Sequence, residues 1–318
     1  MNADGGPVAL AFAAPQPAAL SPAHGGADVF TTVKQLVLDA VSSPLTRVMY
    51  ARALEDFFGW WTGQGRPAFT RATVQAWRAA LETKGLAPAS VNQKLSAVRK
   101  LAAEAAYNGL LDPAAAQAIR DIRGAERRGV RTGNWLTKRQ VEALLAAPDA
   151  STNQGKRDRA ILAVLVGCGL RRDEAVRLTF DHIQQRDGRW CVVDLVGKKG
   201  RYRTVPMPAW TKTAIDSWAA AAGVTTGPVF RGVNKGDVVI GERLSTQGIL
   251  RAVTRYADTI APHDLRRTFA KLAFKGGAKL DQIQLSLGHA SIQTTERYLG
   301  VQQDLTDAPC DYLHLKVE

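Results

Sequence analysis

The chain has 318 residues, 46% of them hydrophobic, enough for two domains that each bury a core. Lysine and arginine (42) outnumber aspartate and glutamate (29), and the net charge of +13 suits a polyanionic partner, either a nucleic acid or an acidic membrane surface. No apolar run is long enough to cross a bilayer, and the three cysteines, Cys168, Cys191 and Cys310, are too scattered for a disulfide framework and fit a reducing cytoplasm.

Residues 1–28 are rich in Ala, Pro and Gly and almost uncharged, the composition of a disordered arm. The apolar stretch Val8–Ala14 is short and follows no Lys or Arg, so a secretory signal is not expected. Residues 29–120 read as helical throughout. One helix runs from Val29 to Val41. Ser43-Pro44 caps a second, with Leu45, Met49, Phe57 and Trp61 placed on one face. Thr70 caps a third, with Val74, Trp77 and Leu81 inward. Ala89 to Asn108 is a fourth, with Val91, Leu95, Val98 and Ala102 inward, and Asp112-Pro113 opens a short fifth. Helices of this size pack as a bundle. Lys84, Asn92, Gln93, Lys94, Arg99 and Lys100 crowd its outer face, which is either an ordinary solvated surface or a contact for a polyanion. Residues 121–133 follow as a linker. With Arg120 just before it, this stretch holds Arg123, Arg127, Arg128 and Arg131 and is too polar to be core.

A second domain is expected over residues 134–300. Thr137 and Gln140 have capping-box spacing, with Leu144 and Leu145 inward. Arg159 to Gly169 is an apolar helix broken by Gly167 and Gly169, so Arg171 emerges from a buried helix end and needs a partner. Glu174, three residues on, can brace it. Trp190 to Val196 has β-propensity, Gly197-Lys198-Lys199-Gly200 turns, and Arg201 to Pro206 returns, which makes a hairpin over residues 189–206. A helix is predicted over Pro208–Ala222, a short strand at Val229-Phe230, and a helix over Ser245–Asp258 that presents Gln247, Arg251 and Arg255.

Three short helices fit residues 261–300. Pro262 opens the first, Leu265, Phe269, Leu272 and Ala273 make its buried stripe, and Gly276-Gly277 stops it. His263 and Arg266 share a face beside its N-terminus and are expected to lie off that stripe. A guanidinium fork, an imidazole and a helix start suit an anionic oxygen group such as a phosphate. The second helix is Asp281–Leu287, ended by Gly288. His289 then sits at an inter-helix corner, Ser291 caps the third helix, and Tyr298 follows nine residues after His289.

The ordered set Gly169-Leu170-Arg171-x-x-Glu174, His263-x-x-Arg266, Leu287-Gly288-His289 and Tyr298 resembles the tyrosine recombinase (phage integrase) family. The resemblance implies a mostly α protein. An N-terminal helical bundle would be the core-binding, DNA-binding domain, and the mainly α catalytic domain would carry a small antiparallel sheet. It implies that Arg171 and Arg266 clamp the scissile phosphate, with His263 and His289 beside it. Tyr298 would be the nucleophile. The family's general acid is a hairpin lysine, which matches Lys198 here, with Lys199 open as the alternative. Glu174 would support Arg171. Lys94, Arg99, Arg123, Arg127 and Arg128 would then contact the DNA backbone, where such charges give affinity more than sequence choice.

Attack by a tyrosine oxygen on a phosphodiester builds negative charge on the phosphoryl oxygens, and two arginines and a histidine stabilise it there. No metal or nucleotide cofactor is expected, because the sequence carries neither a metal-ligand spacing nor a Walker loop. The implied activity is site-specific recombination of double-stranded DNA through a 3′-phosphotyrosine, by a homotetramer on two sites. A type IB topoisomerase-like nicking-closing enzyme and a non-catalytic DNA-binding regulator are the alternatives. Residues 301–318 form an apolar tail that docks either on a neighbouring protomer, as is frequent in the family, or on its own domain.

Overall fold

The computed structural model describes residues 28–126, 134–197, 200 and 202–300. The chain divides into two compact units, Met1–Val130 and Arg131–Glu318.

The first unit contains α1 (Asp28–Asp39), α2 (Pro44–Gly63), α3 (Arg71–Thr83), α4 (Pro88–Tyr107) and α5 (Pro113–Arg120). Side chains hold the helix starts. Ser43 accepts from the Thr46 amide, Thr70 from Thr73, and the Asp112 carboxylate from Ala115, which satisfies amides that no helix carbonyl reaches. α4 packs against α1, α2, α3 and α5, and its Val91, Leu95, Val98 and Leu101 are fully buried. Phe57 is the hub of an aromatic cluster: Trp77 meets it edge-on at 5.1 Å, and Trp61 and Phe69 lie at 6.1 and 5.7 Å. The face shared by Leu45, Met49, Phe57 and Trp61 is buried only in its second half, and Leu45 and Met49 are left out of the core. They are 67% and 38% exposed, because burial on α2 begins only at Ala53, and the first two turns lie outside the packed face.

The second unit begins with α6 (Lys138–Ala146). Thr137 and Gln140 form the expected capping box, and Leu144 is buried while Leu145 is half-buried. α7 (Asn153–Gly167) is its central helix, packed against α6, α9 (Ala209–Ala222), α10 (Thr246–Thr254) and α11 (Pro262–Lys275). α8 (Arg172–Arg177) follows after one buried turn. The sheet has the order β1 (Ile183–Arg186), β2 (Arg189–Val196), β3 (Tyr202–Pro206), antiparallel throughout. A bulge between Val192 and Leu195 puts Asp194 at φ 55°, a conformation aspartate tolerates better than most residues. Of the predicted hairpin turn, Lys198 and Lys199 lie outside the described residues.

Val229-Phe230 is not a strand. Both residues are fully buried, but the backbone bonds one neighbour after another, Val229 N–H to the Leu178 carbonyl and the Phe230 carbonyl to Leu244 N–H. No continuous ladder forms, and only an isolated bridge joins Pro228 to Thr179. A second small sheet, β4 (Gly232–Val233) with β5 (Val239–Ile240), lies just beyond it.

α11, α12 (Leu280–Leu287) and α13 (Ile292–Leu299) close the unit around a small core of Ala270, Ile283, Leu287 and Leu299. Gly288 and Gly300 end α12 and α13 in the left-handed conformation, at φ 62° each. Ser291 sits at the α13 N-cap but makes no capping bond, and its hydroxyl donates to Gln293 instead.

Candidate active site

The end of α7 sets the geometry. Gly169 follows it at φ 59°, and a side chain there would meet the Phe269 ring at 2.6 Å. This tight turn delivers Arg171 to the start of α8, where Glu174 accepts from both the Arg171 backbone N–H (2.7 Å) and its Nη1 (2.8 Å). Glu174 is almost fully buried, so an unpaired charge there would be costly. A second arginine, Arg203 on β3, meets the same carboxylate with both Nη atoms, at 2.8 and 2.7 Å, and donates from Nε to the Ser286 carbonyl at 3.0 Å. Arg266 approaches it at 4.0 Å. Burial alone would raise the Glu174 pKa, but the Arg203 and Arg171 bonds and charges overcome it and hold the carboxyl at about 2.

Arg266, expected off the apolar stripe, is nevertheless buried, at 1% exposed. Nη1 donates to the Gly169 carbonyl at 2.6 Å and Nη2 to the Leu287 carbonyl. These acceptors stand in for the water that the arginine loses. Burial first, then the Arg171 charge, lower its pKa to about 10, so it stays cationic at neutral pH. The guanidinium forms part of the floor of the site, between the α7 turn and the end of α12.

Tyr298, on α13, is half-buried, and the His263 and His289 rings stand edge-on to it at 5.6 and 5.3 Å. Its hydroxyl lies 3.4 Å from the His263 backbone carbonyl. Arg267 sits over the ring face at 5.0 Å. Burial raises the Tyr298 pKa, while Arg266 and Arg267 pull it down. His289 Nδ1 is 2.9 Å from the buried Thr295 hydroxyl. Desolvation, then Arg266 and Arg171, lower the His289 pKa to about 4, and desolvation, then Arg266 and Arg267, lower that of His263. Both imidazoles are therefore neutral at pH 7.

Five predicted side chains thus converge in one unit: Arg171, His263, Arg266, His289 and Tyr298, with Glu174 beneath. Sequence reasoning missed Arg203, Arg267 and Thr295. Arg203 had a signal, since it shares a strand face with the buried Val205 two residues on. Thr295 lies three residues before Tyr298 on the same helix. Arg267 had none.

The predicted DNA contacts belong to the first unit. Lys94 pairs with Asp56, Arg99 donates to the Ile122 carbonyl, and Arg123 is exposed. Arg127 and Arg128 lie outside the described residues. In the second unit, Gln247 and Arg251 are exposed on α10, whereas Arg255 is engaged with the buried Asp158.

Residues 134–304 match the model of the phage integrase family, and residues 33–109 that of the phage integrase N-terminal SAM-like domain. A tyrosine recombinase of Synechococcus elongatus is 28% identical over 305 residues, covering 88% of this chain and 92% of its own. The tyrosine recombinase XerC of Pelobacter propionicus is 30% identical over 287 residues, covering 86% and 90%. Among solved structures, a lambda integrase dimer bound to a core site shares the fold with TM-score 0.65 and 18% identity, over 86% of this chain and 78% of that one.

Proposed function

The chain belongs to the phage integrase family, and on that premise we propose that this site-specific tyrosine recombinase cuts DNA through Tyr298 and holds the strand as a 3′-phosphotyrosine. The observation that carries the proposal is the convergence of Arg171, Arg266, His263 and His289 on one half-buried tyrosine.

Each group has a task. Arg171, about a third exposed, reaches the scissile phosphate from solvent, and Arg266 adds fixed positive charge from below. Together they stabilise the charge that grows on the non-bridging oxygens, the part a metal ion plays in other phosphoryl transfers. The Tyr298 oxygen forms a bond to phosphorus while the bond to the 5′-oxygen breaks. The phenol proton passes to a neighbouring neutral imidazole, and the leaving 5′-oxygen takes a proton from the hairpin lysine, Lys198. Religation runs the same steps backwards, so neither metal nor nucleotide is needed. The first unit and the basic stretch after it hold the DNA duplex through Arg123, Arg127 and Arg128, and Lys94 and Arg99 support that surface. Cys168 and Cys191, both buried free thiols, fit work in a reducing cytoplasm.

Recombination exchanges strands between two duplexes, so we place four copies on two sites. A groove of about 720 Å³, lined by Val141, Leu145, Val166, Trp210, Phe269 and Leu272, can receive the apolar tail of a neighbour. The deciding experiment is a nicked suicide substrate in excess EDTA. Wild-type protein should become covalently joined to the 3′ end, with the modified peptide containing Tyr298. An adduct on another residue, or none without a divalent metal, would overturn the reading.

A further inference from the structure

We infer that Arg203 is a positioning residue for strand cleavage: its guanidinium occupies both oxygens of Glu174 and so keeps the Arg171 and Arg266 charges available to the phosphate. The inference rests on the reading of Arg171 and Arg266 as the phosphate clamp.

Three observations carry it. First, a single buried carboxylate faces three arginines. Arg203 takes it in the two-pronged geometry that is strongest for a guanidinium, at 2.8 and 2.7 Å, while the Arg171 side chain has one contact at 2.8 Å and Arg266 stands off at 4.0 Å. Three guanidinium groups thus share one carboxylate, which leaves an excess of two positive charges. Second, Arg203 makes a third bond, from Nε to the Ser286 carbonyl in the last turn of α12. It therefore ties β3 to the helix end that leads into His289. Third, Gly288 lies against the Arg203 side chain so closely that a Cβ there would come within 2.9 Å of Cδ. The Leu287-Gly288-His289 corner is shaped around this arginine. Arg203 is itself only 9% exposed, and among the described residues its hydrogen bonds go to Glu174 and Ser286, not to Tyr298, His263 or His289.

Without Arg203, both oxygens of Glu174 turn to the clamp arginines and quench part of their charge. The defect should depend on the charge of the substrate phosphate, which a merely structural role would not produce. The measurement is single-turnover cleavage by the full chain, on the ordinary suicide substrate and on one with a neutral methylphosphonate at the scissile position. Arg203→Met should cleave the ordinary substrate about 10- to 100-fold slower, the scale expected when reacting groups are slightly misplaced, with DNA affinity within about threefold. On the methylphosphonate the gap to wild type should shrink to within about threefold. Arg203→Lys keeps a cation beside Glu174 and should fall between the two. Adding Glu174→Gln to Arg203→Met should recover part of the lost rate, and this pair also controls for poor folding of the single variant. Equal gaps on both substrates, with no recovery in the double variant, would overturn the inference and leave the Tyr298 reading intact. A wild-type protein that forms no adduct on either substrate would sink both.

Discussion

The Tyr298 hydroxyl lies 3.4 Å from the backbone carbonyl of His263 and has no other hydrogen-bond partner among the described residues. So long a contact is weak. The phenol is parked within reach of the site and can leave at little cost. Tyr298→Phe should abolish the covalent DNA adduct while shifting unfolding free energy by no more than about 1 kcal/mol. Chemical denaturation and a gel-shift on intact sites check both halves. A Phe variant that still forms adduct would exclude this tyrosine.

Glu174 titrates near 2 in the folded chain against an ordinary 4.5. A depressed carboxylate contributes stability above its unfolded pKa, and that contribution is lost as pH falls through the folded value. Between pH 4.5 and 2 the wild type should therefore lose roughly 3 kcal/mol that Glu174→Gln lacks from the start. Urea unfolding across that range tests it, and parallel acid limbs for the two proteins would count against the paired geometry.

His289 has a folded pKa of about 4 where an unfolded histidine has 6.5. The unfolded chain binds more protons between these values, so the histidine makes stability fall as pH drops from 6.5 towards 4. In the DNA-free protein an NMR titration should give a His289 midpoint near 4. A midpoint near 6.5 would show that neither burial nor the cationic surround is felt at the ring.

Gly169→Ala should destabilise the chain by at least about 2 kcal/mol, from left-handed backbone strain plus overlap with the Phe269 ring. It should also displace the carbonyl that holds Arg266, so cleavage should fall further than stability explains. Denaturation midpoints and single-turnover rates measured on one preparation separate the two effects.

Truncation after Gly300 should leave binding to a single site near normal and weaken synapsis and recombination. Trp210→Glu, in the groove beside α11, should act the same way. Sizing of protein–DNA complexes decides, and a truncated chain that assembles and recombines normally would put the tail on its own domain.

Local rules were readable and long-range ones were not. The Thr137–Gln140 box and the Ser43, Thr70 and Asp112 caps all formed, because each involves neighbours within one turn. The five converging side chains were legible because their ordered spacing is itself a pattern. The burial of Arg266 was not legible, because helix periodicity carries no information about two carbonyls, 97 and 21 residues away, that make it tolerable. The exposure of Leu45 and Met49 was hidden for the converse reason: periodicity names a face but not how far along the helix a neighbour covers it. Val229-Phe230 had strand composition and burial, yet successive partners from different segments replaced a ladder.

The buried Arg266 also sets an order of events during synthesis. Its carbonyl partners, Gly169 and Leu287, come from segments on either side of it in the chain. Until the second of these has left the ribosome, the guanidinium lacks an acceptor that makes its buried position tolerable. Tyr298, the proposed nucleophile, comes later still, eleven positions after Leu287. A chain broken before α13 would lack Tyr298 and, on the reading proposed above, could not form the covalent link to DNA.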